Sequence, residues 1–71
     1  MKDFVLEYVG NREVTFMMIL DNTFFFIYGD IQLPYDDRRW ALATELMTLL
    51  VELQENGVLE LNSHNFYYKV T

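Results

Sequence analysis

Apolar and polar positions alternate from Phe4 to Val9, and from Val14 to Tyr28 the chain reads VTFMMILDNTFFFIY, with Asp21-Asn22 near the middle of a greasy run. Period-two alternation rich in aromatic and branched residues is a strand pattern, and Gly10-Asn11 and Asp21-Asn22 are turn pairs of the kind that close hairpins. The pattern predicts three strands, Phe4 to Val9, Arg12 to Leu20 and Thr23 to Tyr28. With two-residue loops Val9 faces Arg12 and Leu20 faces Thr23, which sets the register. One face of that meander carries Phe4, Leu6, Tyr8, Met17, Ile19, Phe24, Phe26 and Tyr28. The other carries Val5, Val9, Val14, Phe16, Met18, Leu20, Phe25 and Ile27, with Glu7 and Arg12 close enough to pair. A sheet with one wet face should show polar residues on alternate positions. Here both faces call for cover.

Gly29 to Pro34 is expected to be a connector, because Pro34 holds Leu33 extended. A helix is predicted from Asp36 or Asp37, whose carboxylate suits free N-terminal amides. Leu42, Leu46, Leu49, Leu50 and Leu53 then recur at helical spacing, with Trp40, Ala43 and Met47 widening the stripe. Asn56-Gly57 supplies the stop. Val58 to Leu61 and Phe66 to Val70 follow as a hairpin turning near Ser63-His64, with Leu59, Leu61, Phe66, Tyr68 and Val70 on one face and Val58, Glu60, Tyr67 and Lys69 on the other. The order β-β-β-α-β-β predicts a single α+β domain over residues 1–71, a five-stranded antiparallel sheet with one amphipathic helix on one face. Strand order 1-2-3-5-4 keeps the aromatic third strand central, whereas 4-5-1-2-3 leaves it as an edge.

Composition narrows the functional choices. A chain of 71 residues buries only roughly 60% of its unfolded surface, so it depends on dense packing or on association. It has no cysteine and one histidine, which removes disulfides and zinc sites built on Cys or several His. Hydrophobic residues make up 52%, too many for a disordered chain. The net charge of -6 opposes phosphate binding and suits basic protein surfaces. The chain lacks the apolar run of a signal peptide, and Phe24 to Ile27 is too short to span a bilayer. A cytoplasmic location and no membrane contact are expected.

Candidate chemistry is sparse. His64 lies in a turn with no nucleophile or carboxylate pattern beside it, and Asp36-Asp37 fit helix capping better than paired catalysis. No nucleotide, zinc-protease or hydrolase motif occurs. No cofactor, metal or catalytic residue is therefore expected. Arg38, Arg39 and Trp40, with Tyr35, form the one basic and aromatic cluster, and Phe24, Phe26 and Tyr28 are similar to the stacking rings of RNA-binding sheets. Glu45, Glu52 and Glu55, extended by Glu60, make an acidic face able to imitate phosphates. The helix followed by VLELNSHNFYYKVT resembles the last helix and wing of winged-helix domains. That resemblance covers less than half of the chain, and the strand pattern of the N-terminal half departs from it.

The two-sided apolar meander points to a non-enzymatic protein-interaction module with Met17, Ile19, Phe24, Phe26, Tyr28 and Trp40 as its interface, while Phe16, Met18, Phe25 and Ile27 meet the leucine stripe. The partner is a second copy in a homodimer or another protein. Small, acidic and cysteine-free chains without catalytic equipment are similar in type to phage-encoded inhibitors of host defence, anti-CRISPR proteins among them. The alternatives are a structural homodimer subunit and a nucleic-acid-binding accessory protein using Arg38, Arg39, Trp40 and the sheet rings.

Overall fold

A computed structural model describes residues 1–30 and 36–70, and in it the expected N-terminal strands are helices. The elements are α1 (Lys2–Val9), α2 (Phe16–Tyr28), α3 (Asp37–Glu55), β1 (Leu59–Leu61) and β2 (Tyr67–Lys69). The five-stranded sheet with a single helix is thus replaced by three helices and a two-stranded antiparallel sheet. Both proposed strand orders fall with it. The connector Gly29 to Pro34 lies mostly outside the described residues, as does Tyr35.

The α2 segment departs furthest from the expected strands. Its β-branched and aromatic residues favour a strand only where a pleated surface buries them, and a helical brace is present at both ends. The Thr15 hydroxyl accepts from the Met18 amide at 3.2 Å, and Gly29 takes left-handed φ 70° and ψ 11° while its N–H donates to the Phe25 carbonyl at 2.8 Å. Asp21-Asn22 does not turn the chain. It occupies an exposed mid-helix position, where the Asn22 amide donates to the Met18 carbonyl at 2.8 Å and to the Tyr8 hydroxyl at 3.0 Å. Rolling the segment into a helix brings Ile19, Leu20, Thr23 and Phe24 to one buried face, so the greasy run needs one layer of cover rather than two.

The same logic applies to α1. Phe4, Leu6 and Tyr8 alternate, but Val5 and Val9 are the two residues fully buried, one helical turn apart. They meet Ile19, Leu20 and Phe24 from α2 and Leu42, Leu46, Leu50 and Leu53 from α3 in one core cluster. The helix α3 follows expectation in its bounds and core: the Asp36 carboxylate caps it by accepting from the Arg38 amide at 2.9 Å, Leu42, Leu46, Leu50 and Leu53 are buried, and Gly57 at φ 72° lets the chain leave. Leu49, however, is half-buried, and Trp40 and Met47, expected to widen the stripe, are exposed.

The C-terminal hairpin forms, with a register one residue away from expectation. Leu61 pairs with Tyr67, Glu60 with Tyr68 and Leu59 with Lys69, because the loop is three residues long rather than two. Asn62 organises that loop: its N–H donates to the Phe66 carbonyl at 3.0 Å, its side-chain oxygen accepts from the His64 and Phe66 amides at 2.9 and 3.1 Å, and Asn65 takes the left-handed φ of 66°. The extra residue moves Tyr67 onto the face of Leu59 and against the core, while Tyr68 joins Glu60 and donates its hydroxyl to that carboxylate. A third extended residue borders β2. Val14, fully buried, donates to the Tyr67 carbonyl at 3.0 Å and accepts from its N–H at 2.7 Å, tying the α1–α2 connection to the hairpin.

Thr23 is buried among these side chains, and its hydroxyl has no hydrogen-bond partner. A buried hydroxyl left unpaired costs about 1–3 kcal/mol. Thr23→Val keeps the shape and removes that cost, so it is expected to stabilise the chain by about 1–2 kcal/mol. Urea unfolding checks this, and an unchanged or lowered midpoint would show that the hydroxyl is satisfied in solution.

Candidate functional site

Successive residues of a helix diverge by about 100°, and that rotation separates every neighbour in the sequence RRW. Arg38 folds back on the α3 cap. Its guanidinium donates to both Asp36 carboxylate oxygens, with Nη2 to Oδ2 at 2.6 Å, and stands 3.5 Å from an Asp30 carboxylate oxygen. It also lies over the Phe24 and Tyr28 rings, 5.0 and 4.6 Å from their centroids. The hydrogen bonds from Arg38 hold the Asp36 carboxyl below its ordinary range, and Asp36 in turn raises the Arg38 pKa. Arg38 thereby serves as a lid over the core ring Phe24 rather than as a free cation.

Trp40 turns the other way and is 67% exposed. With Met47 and Val51, both also exposed, it forms a row at spacings of seven and four residues along α3. Across from that row α2 presents Phe16, Met17 and Leu20. Between the two helices runs a groove of ≈ 290 Å³, lined by these three residues with Arg39, Trp40, Ala43 and Met47. Its lining is apolar apart from Arg39, which reaches across to the Met17 sulfur at 3.9 Å. The Arg39 Nε is buried without a hydrogen-bond partner.

A second apolar area caps the C-terminal end of α2. Phe25 and Phe26 are 59% and 60% exposed, Ile27 and Tyr28 are exposed beside them, and Phe26 stacks on Phe4 with ring centroids 4.3 Å apart. Phe4 continues to Tyr8, whose ring carries the Arg12 guanidinium at 4.5 Å.

The expected interface residues divide between these surfaces and the core. Met17, Phe26, Tyr28 and Trp40 are exposed, but Met17 and Trp40 flank the groove whereas Phe26 and Tyr28 belong to the α2 end. Ile19 and Phe24 are completely buried in this chain's own core and present nothing to a partner. Of the set expected to meet the leucine stripe, Met18, Phe25 and Ile27 face outward, and Phe16 is partly buried against the core. Glu45, Glu52 and Glu55 are all exposed on α3, Glu45 and Glu52 at helix angles away from the Trp40 row and Glu55 one turn beyond Val51. The residues missing from the expectation are Arg39 as a groove residue, Met47 and Val51. Their spacing from Trp40 was legible, but only the position of α2 shows that this flank of the stripe stays uncovered.

His64 is exposed in the hairpin turn, where its backbone rather than its ring is engaged. Among the described residues no group of three His, Cys, Asp or Glu side chains could hold a metal ion, and no helix is long and apolar enough to cross a membrane. Burial raises the pKa of Tyr67, and the hydrogen bond to Glu60 raises that of Tyr68. Neither phenol stands near the groove.

The helix and hairpin of the winged-helix resemblance are present as α3, β1 and β2, and the N-terminal segments expected as strands are helices. No family model, curated protein or solved structure matches the chain. In helix-turn-helix domains the second helix of the pair carries the contacts to DNA. Here α3 has no Lys or Arg beyond Arg39, and its outward surface carries Glu45, Glu52 and Glu55. The residues of the surface, rather than any likeness of fold, decide what can bind it.

Proposed function

We propose that the chain is a small non-enzymatic protein-interaction module that receives its partner on the groove between α2 and α3. One observation carries the reading. The row Trp40, Met47 and Val51, faced by Met17, leaves large apolar side chains in water along an existing groove, and such contiguous apolar surface on a small protein marks a contact site. Trp40 is the anchor, because it is the largest exposed apolar side chain on the groove wall and large rings contribute most when an interface buries them. Methionine on both walls supports the same use, since its flexible thioether adapts to an incoming surface. The negative charge of the chain and the glutamates of α3 select against polyanions. An inhibitor that occupies a protein target is one form this module can take.

The test is capture of partners from native extract on the immobilised chain, comparing the wild type with Trp40→Ala and Phe26→Ala. The wild type should retain a protein that Trp40→Ala loses by roughly 30-fold or more in affinity, the scale of a hot-spot truncation. Phe26→Ala should retain it. Equal capture by wild type and Trp40→Ala would move the contact away from the groove. A salt-sensitive shift of duplex DNA by the wild type would replace the reading with the nucleic-acid one.

A further inference from the structure

We propose that the α2–α3 groove takes an amphipathic helix of another protein, with apolar residues on Trp40, Met17 and Met47 and a carboxylate on Arg39. The inference rests on the interaction-module reading and adds the chemistry of the partner.

The form of the occupant follows from the walls. Both are helices, whose backbone groups are already bonded within each helix, so the groove offers no strand edge on which an extended peptide could add. A helix brings its own backbone bonds and needs only side-chain contacts. The Trp40, Met47 and Val51 row, at spacings of seven and four residues, matches the repeat of another helix's apolar stripe.

The charge follows from Arg39. The protein has 11 acidic residues against five Lys and Arg, yet no ion pair reaches this guanidinium among the described residues. Asp30 and Asp36 are engaged by Arg38, and Glu45 and Glu52 lie at helix angles pointing away from the groove. Arg39 has a buried, unpaired Nε, and among the described residues the Met17 sulfur is its one side-chain hydrogen-bond partner. A planar fork with free donors in an apolar groove binds a carboxylate strongly, because water is excluded from the pair when the apolar contacts close around it. Arg39 belongs to the first turns of α3, where the helix dipole also favours an anion. The other end of α3 carries Glu52 and Glu55, so the partner's carboxylate belongs at the Arg39 end.

The test uses three fluorescent helical peptides of about 18 residues that share one leucine stripe and differ at a single flanking position, bearing Glu, Gln or Lys. The Glu peptide should bind the wild-type chain roughly tenfold tighter than the Gln peptide, a difference of about 1.4 kcal/mol, and the Lys peptide should bind weakest. Arg39→Gln should erase the Glu preference, so that the Glu and Gln peptides bind alike, Arg39→Lys should restore part of it, and Trp40→Ala should weaken all three. Thermal unfolding of each variant establishes that the fold is kept. A Glu preference that survives Arg39→Gln, or a Lys peptide that binds best, would overturn the proposal. Self-association of the chain abolished by Trp40→Ala would also overturn it, by assigning the groove to a second copy. If extract capture depends on Trp40 while the peptides show no charge preference, this inference alone fails. Loss of both peptide binding and capture would remove the interaction-module reading as well.

Discussion

Phe24→Ala is expected to cost about 3–5 kcal/mol, while Phe26→Ala, two positions along, should cost less than about 1.5 kcal/mol. Phe24 is completely buried among Val5, Val9, Leu20 and the α3 leucines, and truncating a packed Phe loses both its transfer free energy and the contacts around the cavity left behind. A chain of this length has a total stability of roughly 4–10 kcal/mol, so the variant should lose about a third of it or more, and at the low end of that range it is half unfolded at 25 °C. Phe26 is exposed and loses chiefly its stack on Phe4, the kind of ring pair worth about 0.5–1.5 kcal/mol. Urea unfolding followed by far-ultraviolet circular dichroism measures both. The comparison also discriminates helix from strand: residues two apart share a face in a strand and are about 200° apart in a helix. Similar costs at the two positions would contradict the helical α2.

Val14→Pro should detach the hairpin from the helices at a cost of about 2–4 kcal/mol. Proline removes the N–H that bonds to the Tyr67 carbonyl, leaves that carbonyl without its partner, and trims a fully buried side chain. The effect should be local first. Hydrogen exchange at the Asn62 and Val70 amides, which close the hairpin on Phe66 and Val58, should accelerate by roughly 30- to 1,000-fold, the equivalent of that free energy. Amides in the middle of α3 should change less. Unaltered protection at Asn62 and Val70 would show that β1 and β2 stand without Val14, supported by Leu59 and Tyr67 alone.

The helix α3 was legible because every local signal agreed: an Asp cap, a leucine stripe of the right period, and Asn-Gly at the end. The hairpin was legible as a hairpin. Its register was not, because one added loop residue reverses which side chains face the core, and the choice lay in Asn62 and Asn65. The helices α1 and α2 were misread for different reasons. In α1 the window is short enough that Phe4, Leu6 and Tyr8 satisfy a period of two while Val5 and Val9 satisfy a helical turn. In α2 the Thr15 cap and the Gly29 stop went unread, because Asp21-Asn22 in a run of Phe, Ile and Met carried the stronger local signal for a turn between strands.

The candidate site shows the same division. Met17 and Trp40 were legible from the sequence only as large apolar residues, and their exposure is set by the fold. Ile19 and Phe24 were indistinguishable from them until the helical rotation placed both inside, and Arg38 and Arg39 were joined in one basic cluster until the same rotation sent one to Asp36 and the other to the groove.

What the sequence determined by itself is local in range: the extent and capping of α3, the existence of the final hairpin, the acidic charge, and a surplus of apolar residues beyond what one small layer could hide. Only the tertiary structure decided whether Val14 to Tyr28 pairs with neighbouring strands or rolls into a helix, since that choice depends on what covers each side chain. Once α2 packs on α3, the buried side takes Phe24 and the uncovered side keeps Met17, Trp40 and Met47, which flank the groove between the first turns of the two helices.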